Sequence, residues 1–529
     1  MRIAAVDGLV LSVPEKTLAW PIDLRLRKAR YWVEQLPIAD SVQTARQLYR
    51  TVYHLNRSRL QVEDRLELME LYVEPTATVA DVLAVHLEQF ALPLSGKKRR
   101  LAGFLRELHM EMAYGYKTVV QDLIGRRHRD DALLVTAIHR AIEYLGDVLA
   151  RSYRVYAPYP AGVWREIHTL YEYAEHHGYV DAGVDGPAET IRHRYLEALL
   201  LGVADPYQML PNDCKRVEVL LQHTASRARL GLCDSSDRRF RFVIDLKSDA
   251  PPAWMIAEYA GPSLRVLETG GLVRFFSRVT ERLAAGVAAR DTGLGLDMLN
   301  TALSDLLGRL LHVWSIPPVR RAERVKGHGT LAVCTGFKAA HFFLTGQAGV
   351  DGERPAAETL LRHETEDYLD LDSDEPRRTT AAEYFRVLQW FVRDEGPAGL
   401  ALARDGSEPL NVQAGDLVVV ERDPGRWQLG VARWLKTPDP DCVEMGIEIL
   451  SARPKAVFLD TAAGRKPAIL VDGVSAGTLI TRPGTIGLGS AVRLLRDDSL
   501  PEMVSPSKRL EHNPSFECLA LASAAPLLN

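Results

Sequence analysis

The sequence predicts a multidomain α+β chain: an N-terminal all-α helical domain, a small mixed α/β middle domain, and a β-rich C-terminal part. Three observations carry that reading. Apolar residues recur at helical spacing, with almost no alternation, from about residue 24 to 212. The run Arg239-Phe240-Arg241-Phe242-Val243-Ile244-Asp245-Leu246 then alternates as a strand does. Beyond Ile316-Pro317-Pro318, short apolar runs are separated by Gly, Pro, Asp and Asn. At 529 residues the chain is too long for one ordinary core, and it divides at 1–212, 213–315, 316–452 and 453–529.

In the first portion, Leu134, Ile138, Ala141, Ile142, Leu145, Val148 and Leu149 share one helical face, with Asp130 and Asp131 as the N-terminal cap. The preceding helix runs from about Ser95 to Gly125. Breakers at Pro75, Pro93, Gly125, Pro158, Gly178 and Pro206 imply helices stacked through short connections. The segment Trp164 to Tyr171 resembles the opening of a tetratricopeptide repeat. No second copy follows at a fixed spacing, so the domain reads as irregular.

The middle portion adds helices over about 273–287 and 295–313. Ile316-Pro317-Pro318 is a stiff linker, since proline ends helices and favours extended backbone. Candidate strands after it are 330–333, 384–392, 400–402, 416–420, 427–435 and 444–450, the pattern of a small barrel. Residues 346–380, with Glu364-Thr365-Glu366-Asp367 and Asp370 to Glu375, form an acidic insertion. The last stretch, 453–529, is either a second barrel-like unit or an extension of the first.

Composition narrows the function. Hydrophobic residues at 47% and charged residues at 25% describe a globular chain. A net charge of −4 gives no global attraction to nucleic acid or anionic membrane. The five cysteines (Cys214, Cys233, Cys334, Cys442, Cys518) stand singly, which fits a reducing compartment and neither a disulfide framework nor a thiolate zinc site. No apolar run reaches the roughly 18 residues a membrane span needs, and the first residues lack a signal-peptide pattern. The expectation is a soluble, cytoplasmic bacterial protein.

One ordered set of motifs bears on chemistry. Arg320-Arg321-Ala322-Glu323-Arg324 follows the linker and contains R-x-x-x-R. Asp394-Glu395-Gly396-Pro397-Ala398-Gly399 lies between the strand ending near Val392 and the strand 400–402. Gly415-Asp416-Leu417-Val418, Gly430 to Trp434, and Glu444-Met445-Gly446-Ile447-Glu448 come next. This order resembles the PilZ family, in which an R-x-x-x-R loop precedes a six-stranded barrel carrying a D/N-x-S-x-x-G turn. The resemblance covers about 316–452. It implies a PilZ-like β-barrel that binds cyclic-di-GMP, with Arg320, Arg321, Arg324, Asp394, Gly396 and Gly399 as the ligand residues. Because these arginines stand at a domain junction, ligand binding is expected to order the linker between Pro317 and Arg324.

The chemistry agrees with those residue types. A guanidinium grips phosphate or the O6/N7 edge of guanine and stacks on bases. An aspartate accepts from guanine N–H groups, and glycine admits close backbone approach. Two departures stand out. Gly396 replaces the family's serine, removing a hydroxyl worth about 1 kcal/mol of hydrogen bonding. The acidic insertion separates the two motifs.

Other patterns read as structural. His168, Glu172 and His176 fall on one helical face but more simply form a polar stripe than a metal site. Lys97-Lys98-Arg99-Arg100 and Arg126-Arg127-His128-Arg129 are solvated helix termini. Gly484-Thr485-Ile486-Gly487-Leu488-Gly489 lacks the lysine of a phosphate loop and reads as turn and strand. Cys334 reads as core. No catalytic motif appears, no cofactor or metal is called for, and no nucleic acid is expected as partner. The functional expectation is a regulatory receptor or adaptor, not an enzyme, whose helical domain meets a protein partner. Two alternatives stay open: a ligand-independent scaffold with a degenerate barrel, and an enzyme with a site in 213–315.

Overall fold

The computed structural model describes residues 2–6, 9–16, 25–37, 39–128, 130–184, 189–233, 241–255, 261–317, 324–345, 385–471, 477–496 and 499–522. Arg320, Arg321, the acidic insertion and Arg129 therefore lie outside the described residues. The chain forms two compact units: Met1–Val319 with Ser407–Leu410 and Lys436–Asp441, and Arg320–Gly406 with Asn411–Leu435 and Cys442–Asn529.

The first unit opens with a hairpin, β1 (Arg2–Val6) and β2 (Leu9–Val13), which the helical reading did not include. Its helices follow: α1 (Leu26–Glu34), α2 (Ser41–Arg57), α3 (Val62–Leu71), α4 (Val73–Ala84), α5 (Gly96–Ile124), α6 (Asp131–Tyr153), α7 (Val163–His176), α8 (Ile191–Gly202) and α9 (Pro211–Thr224). Short polar side chains start several of them. Asp40 accepts from the Gln43 amide, Asp130 from the Ala132 and Leu133 amides, and Thr190 from the His193 amide. The seven residues expected on one face of α6 are all buried. The hairpin is held because the Ser12 amide donates to Glu166 at 2.8 Å, and Glu166 also meets the fully buried Lys117 at 2.5 Å.

A four-stranded sheet of order β3-β6-β4-β5 comes next: β3 (Arg229–Leu232), β4 (Arg241–Asp245), β5 (Ala253–Trp254) and β6 (Leu264–Glu268). Helices α10 (Gly270–Ala284) and α11 (Asn300–Ser315) complete the unit, with Phe276 stacked on Trp314 at 5.7 Å. One hydrophobic core runs from Leu9 through α2–α9 to Trp314.

The second unit holds two barrels. The first is built from β7 (Val325–Lys326), β8 (Thr330–Thr335), β9 (Leu388–Gly396), β10 (Gly399–Asp405), β11 (Leu417–Asp423), β12 (Arg426–Lys436) and β13 (Cys442–Ser451), with α12 (Phe337–Leu344) between β8 and β9. The strand order β10-β13-β12-β11-β8-β9 closes on itself because β9 also pairs with β10. The segment 453–529 contributes a separate closed barrel, which decides between the two readings of that stretch. Its strands are β14 (Lys455–Thr461), β15 (Gly464–Val471), β16 (Thr478–Thr481), β17 (Val492–Arg496), β18 (Ser499–His512) and β19 (Glu517–Ala522), in ring order β14-β15-β16-β19-β18-β17.

Counted from β8 and from β14, both rings run first, second, third, sixth, fifth, fourth, so the two barrels share one connectivity. They are packed together through α12. Phe337, Phe343, Leu417, Leu429 and Val431 meet Ile469, Val471, Ile480 and Phe516 in a common cluster. Polar ties flank it: the His341 ring contacts the Val457 carbonyl at 3.0 Å, and Asn513 donates to the Gly415 carbonyl at 3.1 Å.

Candidate ligand site on the first barrel

Strand β9 extends four residues beyond the expected end at Val392, and past a bulge at Arg393 both Asp394 and Gly396 are paired with β10. Only Pro397 and Ala398 form the turn into β10. The extension is held from the other side. Val325 pairs with Glu395 and Lys326 with Asp394, while the Gly327 amide reaches the Arg393 carbonyl at 3.1 Å. Residues 324–335 thus run beside β9 as one interrupted strand.

Register then decides which side chains meet. Residues directly opposite one another, and those two apart, project to the same side of a ladder. Lys326 opposes Asp394, so Arg324 is a diagonal neighbour of Asp394; Gly396 opposes Gly399; Asp394 opposes Ala401. On β13, Glu448 opposes Gly399 and Gly446 opposes Ala401. The alternate residues Leu400, Leu402, Met445 and Ile447 are essentially fully buried, which places them inside the barrel. Arg324, Asp394, Gly396 and Gly399 therefore share its outer face.

The floor of that face is made of small residues: Gly396, Gly399, Ala401 and Gly446. Two of the glycines are required by close approach. A Cβ on Gly399 would sit 2.5 Å from the Ile447 carbonyl oxygen and 3.5 Å from the Arg324 guanidinium. One on Gly446 would sit 1.9 Å from Trp434 Nε1, so the indole lies against bare backbone. Above the floor, Arg324 Nη1 donates to Asp394 Oδ1 at 2.7 Å, both side chains being about two-fifths exposed. At the β13 edge, Arg433 Nε donates to Glu448 at 2.7 Å, and its fork grips Glu511 of β18 at 2.7 and 2.9 Å.

Of the six sequence-predicted site residues, the structure thus brings four together. Arg320 and Arg321 lie outside the described residues. Sequence reasoning missed Ala401, Gly446, Glu448 and Arg433 as neighbours of the site. The run Gly446-Ile447-Glu448 was visible as a strand, but only its pairing with β10 puts alternate residues beside Gly399.

The discounted patterns have structural partners. His168 is buried, its Nε2–H donating to the Ala250 carbonyl at 3.0 Å and its Nδ1 accepting from the Tyr195 hydroxyl at 2.7 Å. Glu172 pairs with Lys247. The 484–489 segment is a turn, tied by the Gly484 amide to the buried Glu517 carboxylate at 3.1 Å. Cys334 is buried on β8. Among the described residues no group of three or more His, Cys, Asp or Glu is placed to hold a metal, and no helix is long and apolar enough to cross a membrane.

A closed six-stranded barrel, an arginine entering beside its second strand, and an aspartate and glycine on the hairpin that follows define a class: the chain is a PilZ-domain protein. Residues 241–367 and 351–456 match the family model described as the middle PilZ domain of the cyclic-di-GMP receptor FimW. Residues 27–235 match the model of that receptor's N-terminal domain. Among curated proteins, the chain is similar to the cyclic-di-GMP receptor FimW of Pseudomonas aeruginosa. The two are 27% identical over 523 residues, a stretch covering 88% of this chain and 84% of the relative. The middle-domain match begins upstream of the barrel and takes in β4–β6, α10 and α11.

Proposed function

We propose that this chain is a cyclic-di-GMP-binding regulatory receptor, with its ligand on the outer face of the first barrel. The observation that carries the reading is the meeting of Arg324 and Asp394 above the glycine floor. A guanidinium offers paired donors to phosphate or to the O6/N7 edge of guanine. A carboxylate accepts from the guanine N–H groups on its Watson–Crick edge. Bare backbone at Gly396 and Gly399 lets a flat base lie close. Arg320 and Arg321 stand just upstream, in position along the sequence to add further phosphate contacts.

Arg324 and Asp394 already satisfy each other, so the ligand replaces one ion pair by two complementary contacts. The protein binds its nucleotide and does not turn it over. Its reading as a cytoplasmic adaptor assigns contact with a protein partner to the helical unit. The similarity to the cyclic-di-GMP receptor FimW supports the receptor reading.

Calorimetric titration of wild type and of the Arg320→Ala/Arg324→Ala variant tests the proposal. Micromolar or tighter binding is expected for wild type and none for the variant. A folded wild type that takes up no cyclic-di-GMP would overturn it.

A further inference from the structure

Glu448 is opposite Gly399 on β13, so a carboxylate stands on the same face as the residues that would hold an anionic ligand. Unmasked, it would repel phosphate. It is not unmasked: Arg433 Nε donates to it at 2.7 Å. The rest of the Arg433 guanidinium is held in bidentate contact by Glu511, at 2.7 and 2.9 Å. Glu511 belongs to β18 of the second barrel, and that barrel is packed on the first through the α12 cluster and the Asn513–Gly415 contact.

From this geometry we infer that Arg433, fixed in place by the second barrel, is a positioning residue of the ligand site. It offsets the charge of Glu448 beside Gly399, the remaining negative charge of the triad belonging to Glu511 on β18, so that an anionic nucleotide can bind there. The inference rests on the ligand reading above and assigns residues 455–522 a role in it: they supply the clamp that keeps this arginine at the edge. Arginine suits the task, because its planar fork engages two carboxylates in fixed directions where a lysine ammonium would not. The second barrel repeats the connectivity of the first, yet Arg453, ahead of β14, has no second arginine four residues away. It reads as a copy that supports the first barrel's site and lacks the paired arginines at its own entry.

A double-mutant cycle in the full-length protein decides the matter, with cyclic-di-GMP affinity as the readout. Arg433→Gln exposes Glu448 and weakens binding by about fivefold or more, the scale of one like charge several ångströms from a phosphate in a partly solvated site. Glu448→Gln binds as well as wild type or better. In the Arg433→Gln/Glu448→Gln protein the defect largely disappears, affinity returning to within about twofold of Glu448→Gln alone. The Arg433→Gln defect also shrinks in high salt, which screens charge and leaves packing damage untouched. Melting temperatures of all variants are followed alongside.

Equal affinity of Arg433→Gln and wild type overturns the inference. So does a double variant as weak as Arg433→Gln, since the arginine would then act through packing alone. Failure of wild type itself to bind is a different outcome and removes the ligand reading instead.

Discussion

Arg324 and Asp394 face each other across β7 and β9 with about two-fifths of each side chain in solvent. An exposed ion pair of this kind contributes between nothing and about 1 kcal/mol, so exchanging it for a ligand costs little. The glycine beneath is less forgiving. Any Cβ at residue 399 meets the Ile447 carbonyl oxygen at 2.5 Å, and backbone cannot step aside as a flexible side chain does. Gly399→Ala is expected to destabilise the barrel by about 1–3 kcal/mol, the usual cost of overpacking. Chemical denaturation followed by Trp390, Trp427 and Trp434 fluorescence checks this, and an unchanged midpoint would contradict the close approach.

At the scale of the helix, three histidines tie the first unit together and respond to pH in opposite directions. On α5, His109 donates from Nδ1 to the Leu105 carbonyl at 2.8 Å and accepts at Nε2 from Arg151 at 3.1 Å. Burial, and then the Arg151 charge, hold it well below the ordinary value. His168 on α7 is likewise depressed by burial. His193 on α8 is raised, chiefly by its hydrogen bond to Glu197. A depressed histidine costs stability once the unfolded chain takes up a proton that the native state refuses, so its penalty appears as pH falls below about 6.5. The raised His193 contributes stability that is present below that value and lost as pH rises through its folded pKa. Each depressed histidine is therefore expected to weaken the unit on acidification below about pH 6.5, by up to about 1.4 kcal/mol per pH unit. Urea unfolding of wild type and His168→Gln checks it: the variant should show the shallower pH dependence, and identical slopes would refute the assignment.

For the whole second unit, the question is whether two rings of like connectivity behave as two domains or one. Helix α12 answers through its packing. Phe343 stacks on Trp427 at 4.4 Å and belongs to the cluster that also holds Ile469, Val471, Ile480 and Phe516. Truncating it opens a cavity shared by both barrels, and Phe343→Ala is expected to cost about 3–5 kcal/mol. The barrels should also lose stability together. Hydrogen exchange over β11–β12 and over β15–β16 would accelerate in parallel in the variant. Acceleration confined to one barrel would show that they unfold independently.

Much of this was legible from local pattern. The helical face of α6, the Asp130 cap and the six strands of the first barrel follow from periodicity and turn residues, which depend only on near neighbours. The N-terminal hairpin was not legible, because Leu9–Val13 is short and is held by Glu166 and Lys117 far along the chain. The extension of β9 to Gly396 was missed for the same reason: its partner, Val325–Lys326, lies on the far side of the insertion.

The sequence by itself therefore determined the class of fold, the order of its parts, and Arg324, Asp394, Gly396 and Gly399 as residues to watch. Only the tertiary structure decided that the last stretch closes as its own barrel. It alone showed that Arg324 meets Asp394, and that Glu448, Arg433 and Glu511 stand in line at the edge of the same face. The physical reason is register. Strand propensity is a property of a few adjacent residues, whereas which side chains face one another is set by pairings between segments tens of residues apart.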